Sequence, residues 1–399
     1  MKLAAAAIAL MLVGCATVEP RAARPVAEVG IAFDSNGEIA SFADGYADPA
    51  AGRRVTADDP ARVASVSKLV VAVGVMKLVE QGRLDLDSDV SRWLGWSLRN
   101  PAFPEQAITL RMLLSHTSSV RDHDDQYAIP LGHSLREVMA DPQSWDGSHG
   151  PGQGYFAYSN MNFPIVGSIV ERVTGERFDI WMRREVLDPM RIDACFNWPT
   201  CSDSAVARAV VLMQDGKAVR DDLGGKRPDC PVYVDEGAPC DLSRWKPGEN
   251  GASFSPQGGL RISARGLARV GRMLLGGGTL DGVRILGPQS VELMLSPAWR
   301  FDGRNGSRAE ESATVCSYGL ASQQIPTPGC ADDPGTRGAT LVGHAGDAYG
   351  LRSGLWIDRE RGRGIAYFVT NVPDDPPERS AFSPAEVHAF HRAYALLKP

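Results

Sequence analysis

From Ser65 to Gln81 the chain is apolar nearly all round, with Val66, Leu69, Val70, Val71, Val73, Val75, Met76, Leu78 and Val79 before a stop at Gly82. A surface helix would show one apolar stripe, so this pattern predicts a helix enclosed by other elements and ended by a left-handed glycine. Any fold for this chain must wrap a layer around it. Into this stretch the sequence places a lysine, Lys68, although only seven lysines stand against 35 arginines.

Strand signals gather at the two ends of the chain. Val29–Phe33 and Glu38–Phe42 flank Asp34-Ser35-Asn36-Gly37, whose closing Asn-Gly is a hairpin signal. Ala339–Val342, Leu351–Ile357 and Gly364–Thr370 are short β-rich runs, and residues Pro384 to Leu397 carry a helical apolar face. Between the ends, helices are predicted after Thr109, over Met161–Thr174 before Gly175, and from Ser263 to the Gly276-Gly277-Gly278 run; Ser134-Leu135-Arg136-Glu137 is a capping box. This order predicts an α/β (α+β) fold with a discontinuous sheet domain, residues 28–85 and 330–399, and a mostly helical insertion, 86–329, with the active site between them.

Composition limits the function. Hydrophobic residues make 43% and charged residues 23% of 399, enough for a folded core, and a formal net charge of -6 lacks the electrostatic footprint of a nucleic-acid binder. Residues 1–14 read as an export signal: Lys2, an apolar run from Leu3 to Val13, then Leu12-Val13-Gly14-Cys15, which resembles the bacterial lipobox. That resemblance implies a lipid on Cys15, a tether over 15–27, and a protein anchored in the bacterial envelope facing the periplasm, or else secreted. Its contact with a membrane would be through that lipid alone. The six remaining cysteines fit an oxidising compartment. Fifteen connectivities are open to them, and sequence proximity favours Cys195 with Cys201, Cys230 with Cys240 and Cys316 with Cys330.

The chemistry starts at Ser65-Val66-Ser67-Lys68. Positions i and i+3 of a helix share a face, so the hydroxyl and the amine can touch. A lysine kept dry has a lowered pKa and can take the serine's proton, and a helix N-terminus suits a developing oxyanion. A second S-x-x-K, Ser243-Arg244-Trp245-Lys246, runs into Pro247 and has no apolar helix behind it. Tyr158-Ser159-Asn160 stands before a helix, and His344-Ala345-Gly346 ends a strand signal. A phenol near an ammonium can relay protons, and an amide can bind a carbonyl. Arg121-Asp122-His123-Asp124-Asp125, with His116 seven positions before the His, is acid-rich but matches no metal-binding pattern and reads as a solvated loop. No metal and no cofactor is expected.

Together these three motifs resemble the serine β-lactamase and penicillin-binding protein superfamily, particularly its class C branch. Leu113-Leu114-Ser115-His116-Thr117-Ser118, Phe156-Ala157-Tyr158-Ser159-Asn160, Gly258-Gly259-Leu260 and Gly343-His344-Ala345-Gly346 are similar to class C blocks, so the likeness runs over residues 28–399. The resemblance implies a β-lactamase/transpeptidase-like fold, an antiparallel sheet flanked by helices. It makes Ser65 the acylated nucleophile, Lys68 and Tyr158 the proton relay, and Asn160 the group that orients Lys68 and substrate. His344 would line the strand side, next to Ala345 and Gly346, and the backbone N–H groups of Ser65 and Asp347 would form the oxyanion hole.

The strand triplet departs from the Lys-Thr-Gly of true β-lactamases and DD-peptidases. A histidine is mostly neutral at pH 7 and an alanine offers no hydroxyl, so carboxylate recognition should weaken; Arg352 is a candidate replacement cation. The expectation is a serine hydrolase acting on a small ester, amide or peptide. The rivals are a genuine β-lactamase or DD-peptidase, and a catalytically silent envelope protein that binds peptidoglycan fragments. The sequence leaves the oligomeric state open.

Overall fold

A computed structural model describes residues 25–124, 126–306, 315–373 and 381–397. Its centre is a nine-stranded antiparallel sheet, and the chain's first strand lies inside it rather than at its edge. Ala27–Asp34 pairs with its hairpin partner Glu38–Asp48 on one side and with Arg363–Val369 on the other. From Arg363–Val369 the sheet continues through Leu351–Asp358, Leu341–Ala348 and Gln323–Ile325 to Ser317–Tyr318 and Trp299–Arg300. Arg53–Arg54 closes the other edge.

Both faces of the central strands are covered, which is why they read as unbroken apolar runs rather than alternating ones. Leu355, Ile357, Ala366 and Phe368 enter a large core with Val66–Glu80 and Ala264–Leu275, whereas Trp356, Ile365, Tyr367 and Val369 meet Phe390 of Pro384–Ala395 in a second core. Gly271 lets the Ala264–Leu275 helix approach, since a Cβ there would fall 2.3 Å from the Phe33 ring. The apolar helix forms as the sequence predicts: Val66–Glu80 buries 12 of its 15 residues and ends before Gly82 at φ +66. Full burial of each Val or Leu contributes about 1.5–3 kcal/mol, so this helix anchors both the fold and whatever it carries.

Other predicted signals appear with shifted limits. Asn162–Thr174 ends on left-handed Gly175, and Ser134 and Glu137 make both bonds of the capping box. Glu38–Asp48 runs six residues past Phe42. The strand read as Ala339–Val342 spans Leu341–Ala348, so the 344–346 triplet is inside it and not at its end. The sheet also begins earlier in the chain than residue 330, because Trp299–Arg300, Ser317–Tyr318 and Gln323–Ile325 belong to it. Those strands are two or three residues long, too short for a period-two pattern to register.

Candidate active site

Ser65 sits where a short strand hands over to the buried helix. Ala61–Arg62 pairs with Leu260–Ile262, which also pairs with Cys195–Phe196. The chain then turns through Ala64, a non-glycine residue at φ 47, and enters the helix at Ser65. Ser65 is the N-cap residue but makes no side-chain cap bond, which leaves its hydroxyl for another partner.

That partner is Lys68, one turn on. Its side chain is 0% exposed, and Nζ lies 2.9 Å from Ser65 Oγ, 2.8 Å from Asn160 Oδ1 and 2.7 Å from the Gln257 carbonyl oxygen. Two of these three oxygens, an amide and a carbonyl, can only accept; the hydroxyl can accept or donate. A neutral amine therefore donates its two hydrogens to Asn160 and Gln257 and turns its lone pair to the Ser65 O–H. A charged ammonium donates to all three. The site is satisfied in both states, as a group that must take and return a proton requires. Tyr158 and Phe163 complete the surroundings, their ring centroids 5.0 and 5.5 Å from Nζ.

Two residues with no role assigned from sequence, Asp122 in the run read as a solvated loop and His116 before it, hold the Tyr158-Ser159-Asn160 turn. Asp122, half-buried, accepts from Ser159 Oγ at 2.8 Å and from the backbone N–H groups of Asn160 at 2.7 Å and Met161 at 3.0 Å. The latter two open the Asn162–Thr174 helix, where Met161 provides no side-chain cap, so Asp122 caps it from a distance. His116, 1% exposed and at φ 55, stacks on the Tyr158 ring at 4.3 Å. Its Nδ1 accepts the Ser159 N–H at 3.1 Å, which places the ring proton on Nε2. Burial, reinforced by the nearby Lys68 charge, holds His116 well below the usual imidazole range. It packs beside Lys68 without adding a cation.

The strand triplet splits across the two sheet faces. His344 is buried, and its Nε2 lies 2.8 Å from Tyr318 Oη. Its Nδ1 meets the Ala345 carbonyl, so Nδ1 carries the hydrogen and Nε2 accepts from the phenol. Burial, and after it the Lys68 charge, push His344 down to about 3. Gly346 shares that face: a Cβ on it would fall 2.4 Å from the Val63 oxygen and 3.3 Å from the Ser65 nitrogen. Only glycine lets the strand run this close to the Ser65 backbone. Ala345 packs on the opposite face, in the core under Pro384–Ala395. Arg352 does not replace a lysine here. It lies directly opposite Asp347 and is ion-paired with it, and the next pair along, Gly346 and Ser353, faces the Ser65 side, where Ser353 Oγ donates to Val63 at 2.9 Å. Side chains alternate along a strand, so Arg352 points away from Ser65.

A seryl hydroxyl hydrogen-bonded to a dry lysine, with a phenol against that lysine, has family precedent. The Beta-lactamase family model matches residues 16–388. The chain belongs to that family. Among curated relatives, Esterase EstB of Burkholderia gladioli is 27% identical over 353 residues, 83% of this chain and 82% of its own length. Among solved structures, the D-amino acid amidase of Ochrobactrum anthropi SV3 with bound D-phenylalanine superposes with a TM-score of 0.64 at 21% identity over 94% of both chains. The class C beta-lactamase of Rhodobacter sphaeroides gives 0.65 at 16% identity, over 93% of this chain and 94% of its own. The fold is that of the β-lactamases and transpeptidases, and this Beta-lactamase family member is a serine hydrolase.

Within that fold the remaining predicted groups fall as follows. Disulfides join Cys195 to Cys201, Cys230 to Cys240 and Cys316 to Cys330, the three local pairings. Lys246 of the second S-x-x-K is exposed and ion-paired to Glu249 at 3.0 Å. Arg121 is paired with Asp146, and among the described residues no group of three or more His, Cys, Asp or Glu could hold a metal ion. Cys15 lies outside the described residues, among which no helix is long and apolar enough to cross a membrane.

Proposed function

We propose that the protein hydrolyses an ester or amide through an acyl-enzyme on Ser65. The observation that carries the reading is the three-way contact of Lys68 with Ser65, Asn160 and Gln257. Neutral Lys68, assisted by Tyr158, takes the hydroxyl proton as Ser65 Oγ bonds to the substrate carbonyl carbon. The carbonyl oxygen becomes the oxyanion and is met by the backbone N–H groups of Ser65 and Asp347; the close approach of Gly346, the residue before Asp347, to the Ser65 nitrogen supports this pairing. The carbonyl re-forms, the bond to the alcohol or amine breaks, and the leaving group collects the proton from the Lys68–Tyr158 pair. Water then repeats the sequence on the acyl-Ser65 ester and releases the acid.

A neutral His344 where a cation would meet a β-lactam or D-alanyl carboxylate, with Arg352 turned away, favours an ester or amide lacking that carboxylate over a β-lactam. Likeness to an esterase over most of both chains supports the same choice. The test pairs Ser65→Ala with wild type on a short-chain nitrophenyl ester and a chromogenic cephalosporin. Ester turnover should vanish in Ser65→Ala with the melting temperature nearly unchanged. Retained turnover refutes the nucleophile, cephalosporin turnover above ester turnover makes the protein a β-lactamase, and no Ser65 adduct with a fluorophosphonate or penicillin probe favours a silent binding protein. The Leu12-Val13-Gly14-Cys15 box supports the further reading that the protein is lipid-anchored in the cell envelope.

A further inference from the structure

Beside the nucleophile's strand the fold gathers three arginines around one carboxylate. Arg62 and Arg261 are paired residues of Ala61–Arg62 and Leu260–Ile262. Arg261 spends its charge on Asp221 in a two-pronged contact, 2.6 and 3.1 Å, with both side chains almost fully buried. Arg62 and Arg220 both lie over the Tyr349 ring, at 5.2 and 5.0 Å. Arg62 is 7% exposed, and its buried Nε has no hydrogen-bond partner among the described residues. Burial, then the Arg261 charge, push Arg62 down to about 10. One carboxylate leaves the buried Arg62 without a counter-ion of its own, a costly arrangement, while Arg220 is half-buried and hydrogen-bonded to Tyr233.

A cavity of about 290 Å³ opens against this cluster. Its charged lining residues are Arg220, Asp221 and Arg261; most of the rest is apolar, including Trp198, Leu223, Pro231 and Val232, with Tyr233, 43% exposed, at the rim. That volume is at the small end of ligand sites, which start at about 300 Å³. A bare inorganic anion would satisfy the charge and leave the apolar wall unused.

We propose that this cavity binds a small organic carboxylate, its charged end held by Arg220 beside Arg261, with the buried Arg62 charge behind them, and its apolar body lying against Trp198, Val232 and Tyr233. A guanidinium fork matches a carboxylate through two parallel hydrogen bonds, and Arg220, in the cavity wall and not ion-paired to Asp221 as Arg261 is, has that capacity to give. The site does not depend on acylation at Ser65, so binding alone tests it.

Isothermal titration of the full chain with phenylacetate, phenylacetamide and inorganic phosphate decides the matter. Phenylacetate should bind, with the neutral amide and phosphate each at least tenfold weaker. Arg220→Gln should weaken phenylacetate at least tenfold with its melting temperature as the control on folding. Tyr233→Ala, at the exposed rim, should weaken it as well and serves if Arg220→Gln does not fold. Equal binding of the amide or of phosphate, absence of phenylacetate binding at millimolar concentration, or unchanged affinity in the folded variants would each overturn the proposal.

Discussion

Replacing Asp122 with alanine should disable the site without touching any group that meets substrate. The carboxylate accepts three hydrogen bonds, from Ser159 Oγ and from the N–H groups of Asn160 and Met161, at 2.7–3.0 Å. A hydrogen bond to a charged group contributes about 1.5–3 kcal/mol net, and because Asp122 is half-buried, water can recover part of each. The expected loss of stability in Asp122→Ala is therefore about 2–4 kcal/mol, and about half of that in Asp122→Asn, which keeps one acceptor. The effect on rate comes through Asn160, whose Oδ1 fixes Lys68 at 2.8 Å. A shift of ~1 Å in a positioned group costs on the order of 100-fold. Urea unfolding and steady-state ester hydrolysis measure the two effects. The alanine variant should remain folded, lose about 100-fold in kcat and change KM by less than about threefold. A folded Asp122→Ala protein with kcat close to wild type would show that the tyrosine turn holds its geometry without the carboxylate.

Lys68→Arg keeps the positive charge but cannot give up its proton at accessible pH, so kcat should fall by roughly 100- to 10,000-fold if the amine acts as a base; ester hydrolysis near the wild-type rate would mean the charge alone suffices. Stability should peak near pH 4.5, because above it two glutamates lose stability against one histidine that gains it. Glu171 and Glu386, pushed up to about 8 by burial, keep protons in the fold that the unfolded chain releases above about 4.5. Their contribution is full below that pH and is lost towards 8, by at most about 1.4 kcal/mol per pH unit for each group. His344, pushed down to about 3, stays neutral in the fold while the unfolded imidazole charges below about 6.5, so its contribution is lost as pH falls from 6.5 towards 3. Thermal melts across this range check both limbs; a melting temperature still rising from pH 6.5 to 8, or an alkaline limb that Glu171→Gln fails to flatten, would contradict the assignment.

The parts of the site legible in the sequence are those whose side chains carry an unusual combination: a lysine in an apolar helix, a serine one turn before it, a tyrosine and an asparagine ahead of a helix. Gln257 escaped because it acts through its carbonyl, which every residue possesses. Asp122 escaped because its neighbours are Arg121, His123 and Asp124, so the run reads as solvated loop; its role depends on a fold that carries it to residues 159–161. His116 was visible only beside the acid-rich run and in a family block, with no role of its own, since its stacking on Tyr158 joins segments 42 positions apart. For the fold, long two-sided strands and capped helices announced themselves. The two- and three-residue strands at 299–325 did not, because their pairing is settled by the neighbours they join.

The placement of Ala27–Asp34 between Glu38–Asp48 and Arg363–Val369 has a temporal consequence. Ala27 N–H donates to Thr370 Oγ1 across 343 positions of sequence, so the middle of the sheet is completed by residues made long after its first strand. A growing chain that has not yet reached residue 341 already holds Ser65 and Lys68, yet lacks the strand whose Gly346 lies against the Ser65 backbone.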